Sequence, residues 1–252
     1  MRPPVDTIAA PPFPRGVRWL NSPPLRMDEQ IGRPVLLEFW DFCRVNSLRT
    51  LPYLREWHRR YASAGLRVIG VHAAGFAPSA DEAAVREAVV RLDVPYPVVV
   101  DAELEIWRRY GNRGWPARYL WNPRGRLHDY HYGEGAYAET ERAIQALVGT
   151  DREPMAPQRP EDDPRAVLAA QTADQPGAYS GPYAAGGAWA VLDGHGRVVA
   201  NGAPLEVDHP GCYPLLEHPR HTEGTLELEI GEGVTCHAVC FTPGVVDQAE
   251  AA

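Results

Sequence analysis

Two groups of reactive side chains stand out in this 252-residue sequence. The denser group lies late in the chain. His209, Cys212, His218, His221, Cys236, His237 and Cys240 include three of the four cysteines and four of the nine histidines. Mixed thiolate and imidazole ligands suit zinc or copper. The spacings His218-x-x-His221 and Cys236-x-x-x-Cys240 match no standard zinc-finger pattern. On a regular strand Cys236 and Cys240 share one face and His237 points the other way. At ~3.3 Å per residue they stand about 13 Å apart. That is too far for one ion unless a bulge or bend intervenes near Ala238, and too far for a disulfide. The alternative is an ordinary β domain with buried cysteines and surface histidines.

The second group lies early, in Glu38-Phe39-Trp40-Asp41-Phe42-Cys43-Arg44-Val45-Asn46-Ser47. A thiol at a helix start beside an arginine has two readings. Cys43 could act alone as a lowered-pKa nucleophile, as in one-cysteine peroxidases, with a sulfenic acid as first product. It could equally be a small buried hydrophobe beneath the loop. All 25 basic residues are arginine, which removes Schiff-base and lysine-base chemistry.

The elements that must position these residues follow from periodicity. Short apolar runs predict strands at Pro34–Phe39, Leu66–His72 and Tyr96–Val100. Ala117–Trp121 and Leu127–Tyr132 follow, joined by the turn Asn122-Pro123-Arg124-Gly125. Helical spacing of Leu48, Leu51, Leu54, Trp57 and Tyr61 predicts a helix over Asn46–Ala64, stopped by Gly65 and kinked at Pro52. Further helices are expected at Asp81–Leu92, Glu103–Tyr110 and Tyr137–Val148. The alternation describes an α/β sheet covered by helices over residues 1–150. Residues 151–176, rich in proline and acidic side chains, read as a linker. Residues 177–245 read as a small all-β, sandwich-like domain, with strands at Ala188–Leu192, Val198–Asn201, Thr225–Ile230 and Val234–Phe241.

Composition narrows the function classes. With 44% hydrophobic and 23% charged residues the chain is globular. A net charge of −8 without a basic block argues against nucleic acid as a partner. Residues 1–14 have no apolar signal-peptide core, and no stretch approaches the ~18 apolar residues of a membrane span, so a cytoplasmic protein without a membrane partner is expected. The four cysteines are then thiols or ligands, not staples.

The segment from Glu38 to Ser47, followed by Leu51-Pro52, resembles the active-site segment of thioredoxin-like proteins of the TlpA or redoxin type, and in particular of DipZ-type proteins. Gly70-Val71-His72, Tyr96-Pro97, Tyr110-Gly111-Asn112, Trp115-Pro116-Ala117, Tyr132-Gly133-Glu134-Gly135 and Glu139-Thr140-Glu141 extend the resemblance over roughly residues 15–150, a span typical of one domain. Gly233-Val234 to Phe241-Thr242 is more loosely similar to the end of the DipZ-type C-terminal domain. The resemblance implies a thioredoxin-like fold, a cis bond before Pro116, and a buried acid at Glu38. Counting back from Leu51-Pro52 and forward from Phe39-Trp40 both put Arg44 and Ser47 at the two positions of the family's Cys-x-x-Cys. Arginine is no nucleophile and serine closes no disulfide, so the family's dithiol exchange is excluded there. An arginine at a helix N-terminus calls for an anion. Glu38 would supply one, or would be an ordinary strand-end residue satisfied by neighbours.

The expected function is therefore a thioredoxin-like protein without redox Cys-x-x-Cys. It would bind or scaffold an anionic or extended peptide, protein or small-molecule ligand through a cleft lined by Trp40, Arg44, Ser47, Trp115 and Pro116. The alternatives are a thiol oxidoreductase or peroxidase using Cys43 with Glu38, and a zinc or copper protein with a site from Cys236, Cys240, His209, Cys212, His218 and His221. His72 and His131 fall near the same sheet edge. Tyr132–Gly135 reads as a turn and not as a phosphate loop.

Overall fold

The computed structural model describes residues 6–247. Two compact units emerge. One holds the chain up to Asp41 together with Asn46–Ala156. The other holds Phe42–Val45 and the chain from Pro157 onward. No helix among the described residues is long and apolar enough to cross a membrane.

The first unit is a six-stranded sheet carrying four helices. Its strands are β1 (Arg18–Leu20), β2 (Val35–Trp40), β3 (Arg67–His72), β4 (Val98–Val100), β5 (Ala117–Trp121) and β6 (Leu127–Tyr132). Its helices are α1 (Val45–Tyr61), α2 (Glu82–Arg91), α3 (Glu105–Arg109) and α4 (Tyr137–Val148). The strand order is β1-β4-β3-β2-β5-β6, with β2, β3 and β4 parallel and β1, β5 and β6 antiparallel to their neighbours. All six residues of β2 are buried, as a central strand covered on both faces requires. β5, β6 and α4 fall on the expected bounds. β1 was not expected, because three residues carry no readable period.

Alternation divides the sheet's two faces. Val35, Leu37, Phe39, Val71, Tyr119 and Trp121 pack with Ile106 of α3 in one apolar cluster. Glu38 and Arg118 point to the opposite face. There the Arg118 guanidinium lies over the rings of Trp57 in α1 and Tyr137 in α4. The α1 helix passes through Pro52 without ending.

The second unit is built of strands. They are β7 (Val167–Ala169), β8 (Gln175–Pro176), β9 (Gly181–Gly194), β10 (Gly196–Ala200), β11 (Ala203–Val207), β12 (Gly211–Leu226), β13 (Leu228–Ile230), β14 (Val234–Thr242) and β15 (Gly244–Val246). Sheets β12-β9-β14-β8 and β11-β10-β13 share one core, from Ala188, Ala190 and Leu192 to Val198, Leu228 and Phe241. Asn201 and Gly202, both at positive φ, make the two-residue turn between β10 and β11. Two expectations change here. The segment read as a linker contributes β7 and β8, which pair with β15 and β14. The 16-residue β12 hid from periodicity because Pro214 and Pro219 interrupt it. Proline is tolerated there because β12 is an edge strand with no second ladder to donate to.

Glu141 of α4 ties the first unit together. It is 1% exposed and accepts from Trp57 Nε1 (3.1 Å), Tyr61 OH (2.6 Å) and the Met155 N–H (2.8 Å), and it pairs with Arg60. Truncation strands three donors and a guanidinium in a buried place. Glu141→Ala is expected to lower unfolding free energy by about 3 kcal/mol in urea denaturation. A loss below about 1 kcal/mol would mean that these groups find other partners on relaxation.

Candidate functional site

The site expected from sequence lies where β2 gives way to α1. Asp41, wholly buried, follows the last residue of β2. Its Oδ2 accepts the Gly75 N–H (2.7 Å) and the Ser79 hydroxyl (3.0 Å). Its own N–H donates to Ser47 Oγ (3.2 Å) in the first turn of α1. One carboxylate and one hydroxyl thus fix the loop to the segment after β3. His72, at the end of β3, puts Nε2 3.8 Å from Asp41 Oδ1 and meets the Trp40 ring edge-on at 5.1 Å. Burial pushes the His72 imidazole down to about 3, so it is neutral at physiological pH.

The Trp115–Pro116 bond is cis, as the resemblance implied. Pro116 directly precedes Ala117, the register partner of Phe39, so it sits beside the C-terminal end of β2. Its carbonyl accepts from Gly133 N (2.8 Å), and Trp115 Nε1 donates to Ala73 O (2.7 Å). Of the five residues expected to line a cleft, Trp40, Ser47 and Pro116 are buried, while Arg44 and Trp115 keep partial exposure. Cys43 is fully buried, and all four cysteines are free of disulfides.

Glu38 is wholly buried, and its charge partner is not Arg44. Its cross-strand neighbour is Arg118 of β5, whose own neighbour on β6 is His131. The strand register puts these groups in one row, where local sequence suggested a loop contact. Arg118 is 1% exposed and donates from Nη2 to Gly135 O. Its guanidinium carbon stands 4.9 Å from the Tyr137 ring centre. Among the described residues neither Glu38 oxygen finds a hydrogen-bond partner, nor do Trp40 Nε1 and Tyr96 OH in the same region. Gly70, next to Glu38 in the row, leaves the space these rings use: a Cβ there would meet Trp40 Nε1 at 2.9 Å and Tyr96 at 3.3 Å. Burial pushes the Glu38 carboxyl up to about 8 against the pull of Arg118. Burial likewise lowers Arg118, and it lowers His131, with the Arg118 charge adding to the effect. Sequence reasoning missed Arg118, Asp41 and Tyr96. The one available signal was a lone charge inside an apolar strand, present in both β2 and β5.

The residues expected as metal ligands are not brought together. Among the described residues no group of three or more His, Cys, Asp or Glu side chains could hold an ion. β14 bulges at His237: Cys236 pairs with Leu192 but Ala238 with Val191. The extra residue reverses the faces beyond it, so Cys236 and Cys240 do not share one. Cys236 packs against the core with Val239 and Phe241, and Cys240 lies on the other side of the strand. Burial raises Cys236 to about 11; burial and then Asp174 raise Cys240 to about 12. His209 Nδ1 lies 2.5 Å from Asp208 Oδ1, and His218 Nε2 is 2.8 Å from Tyr183 OH. Cys212 and His221 are half-buried on β12.

No family model matches the sequence. The chain is 32% identical over 200 residues to the protein DipZ of Mycobacterium tuberculosis, covering 74% of this chain and 29% of DipZ. It therefore spans less than a third of the length of that relative. It is 24% identical over 131 residues to the thiol-disulfide oxidoreductase YkuV of Bacillus subtilis, covering 52% of this chain and 87% of YkuV. Among solved structures, a thioredoxin-like superfamily protein matches with a TM-score of 0.53 at 19% identity, over 57% of this chain and 99% of that one. The chain is thus thioredoxin-like in fold, followed by a β-rich region, and similar in sequence to thiol-disulfide oxidoreductases.

The two shifted groups give pH signatures of opposite sign. Glu38 titrates near 4.5 when unfolded and near 8 when folded. Between those values only the native state holds the proton, so stability present at low pH is lost as pH rises, by up to about 1.4 kcal/mol per pH unit, and levels off above about 8. His72 moves from 6.5 to about 3, so its stability is present above 6.5 and lost as pH falls through that window. The two slopes cancel between about pH 4.5 and 6.5. In urea denaturation followed across pH, Glu38→Gln is expected to leave stability rising with pH up to about 6.5 and to remove the decline between about pH 6.5 and 8. An unchanged slope over that range would assign the titration to another group.

Proposed function

We propose that this chain is a thioredoxin-like protein that binds its partner non-covalently, with Arg44 and Ser47 standing at the two positions used for dithiol exchange in the proteins it resembles. The observation that carries the reading is the state of Ser47. It is wholly buried, and its hydroxyl accepts the Asp41 N–H. The second exchange position therefore holds a structural hydrogen bond that shapes the loop, and no second thiol follows before Cys212.

Arg44 replaces a nucleophile with a fixed cation at the start of α1. Glu38, which the sequence offered as its counter-ion, faces Arg118 instead. The partner proposed is an extended peptide bound without covalent exchange. Use of Cys43 as a lone peroxidatic thiol is not favoured, because oxidation needs an exposed thiolate and this side chain is enclosed.

The test is disulfide reduction together with thiol titration of the full chain. Insulin reduction by the wild type is expected to stay at the uncatalysed rate, and Cys43 is expected to react with a chromogenic disulfide only after denaturation. Turnover comparable to a thioredoxin that survives Cys43→Ser would overturn the assignment of Arg44 and Ser47. Fast reaction of native Cys43, lost in Cys43→Ser, would instead establish the one-cysteine chemistry.

A further inference from the structure

The sheet face opposite Glu38 carries a pocket of about 480 Å³ that belongs wholly to the first unit. Its walls come from α3, β5 and β6, because Tyr119 and Trp121 share a face with their cross-strand neighbours Tyr130 and Leu127. Tyr119 and Trp121 are nearly parallel, 11° apart with centroids at 6.5 Å, and Tyr132 stands at 88° to Tyr119. Trp121 is 2% exposed, and among the described residues its indole N–H has no acceptor.

Hydrogen bonds hold these rings in place. Tyr119 OH donates to Asn112 Oδ1 (3.0 Å), so at 3.0 Å from Tyr132 OH it must accept. Tyr110 OH donates to Pro11 O (2.9 Å). Rings fixed in this way lose little freedom when a ligand docks.

The charges at the rim are all positive. No acidic residue lines the pocket, although the chain carries a net charge of −8. Arg109 is occupied by Glu105 and Pro12 O. Arg113 is exposed, and among the described residues it has no hydrogen-bond or ion-pair partner, yet its charge reaches the Tyr119 phenol. The neighbouring, larger pocket differs. Its Arg26 is paired with Asp28, which itself lines the pocket, and its Arg124 faces Asp6.

We propose that this pocket binds a small planar aromatic anion, its ring against Tyr119, Tyr130 and Tyr132 and its carboxylate on Arg113. The size falls within the range of small-molecule sites. Ring faces select a planar ligand by offset and edge contacts, and an uncommitted guanidinium selects a carboxylate. The site lies on the other face of the sheet from Glu38 and is independent of the reading given to Arg44.

The test is titration of the full chain with benzoate by calorimetry and by the NMR shift of the Trp121 indole N–H. Cyclohexanecarboxylate serves as the charged non-aromatic control and benzyl alcohol as the uncharged aromatic one. Benzoate is expected to saturate with a Kd of about 1 mM, as suits a ligand of this size. Both controls are expected to bind at least about fivefold more weakly, and Arg113→Gln should weaken benzoate by a similar factor. Tyr132→Ser, at a 42%-exposed position that folding can spare, should do the same. The proposal is overturned if benzoate does not saturate by about 10 mM, if cyclohexanecarboxylate binds as tightly, or if Arg113→Gln leaves the affinity unchanged.

Discussion

A guanidinium placed inside the first unit is the constraint to which its other parts answer. Arginine cannot shed its proton in a protein, so Arg118 keeps its charge in the interior. Leaving such a charge uncompensated would cost several kcal/mol, a large part of a domain's stability. Four neighbours surround it. Gly135 supplies a carbonyl and Tyr137 and Trp57 present ring faces, which reduce that cost. Glu38 stands across the ladder and becomes a counter-charge only above about pH 8. These neighbours come from the segment before α4, from β2, from α4 and from α1, so satisfying one side chain sets how both helices meet the sheet. Trp57 and α4 are joined again through Glu141, whose carboxylate takes the indole N–H.

The loop between β2 and α1 depends on the opposite charge. Asp41 is as buried as Arg118, and its Oδ2 takes a backbone and a hydroxyl donor. A carboxylate held in this way makes the loop rigid without covalent chemistry. Ser47 completes the arrangement from the helix side. The turn spends its polar groups on its own shape. A fold alone does not decide an activity; the side chains placed on it do.

In the β-rich unit the same lesson is geometric. One extra residue, His237, separates two cysteines that a regular strand would have put on one face. Burial then protonates both thiols, by different surroundings on the two sides of β14. A cluster dense in ligand-type residues becomes a set of separately satisfied side chains, His218 on Tyr183 and His209 beside Asp208 among them.

What the residues by themselves determined is the local order of the first unit. Apolar runs of period two and of period 3.6 placed β5, β6 and α4 on their bounds, because burial of one face is written in consecutive residues. The motif from Glu38 to Pro52, with Trp115-Pro116-Ala117, implied the thioredoxin-like fold and the cis bond only through its resemblance to a known family. The partner of Glu38 was not legible, because β2 and β5 are about 80 residues apart and only strand register brings Glu38 opposite Arg118. The faces of Cys236 and Cys240 were not legible either, since a bulge arises from pairing with β9 and leaves no local mark. Nor was the aromatic pocket, whose rings come from three elements. Contacts between distant segments are decided by how the layers pack, and only the tertiary structure records that.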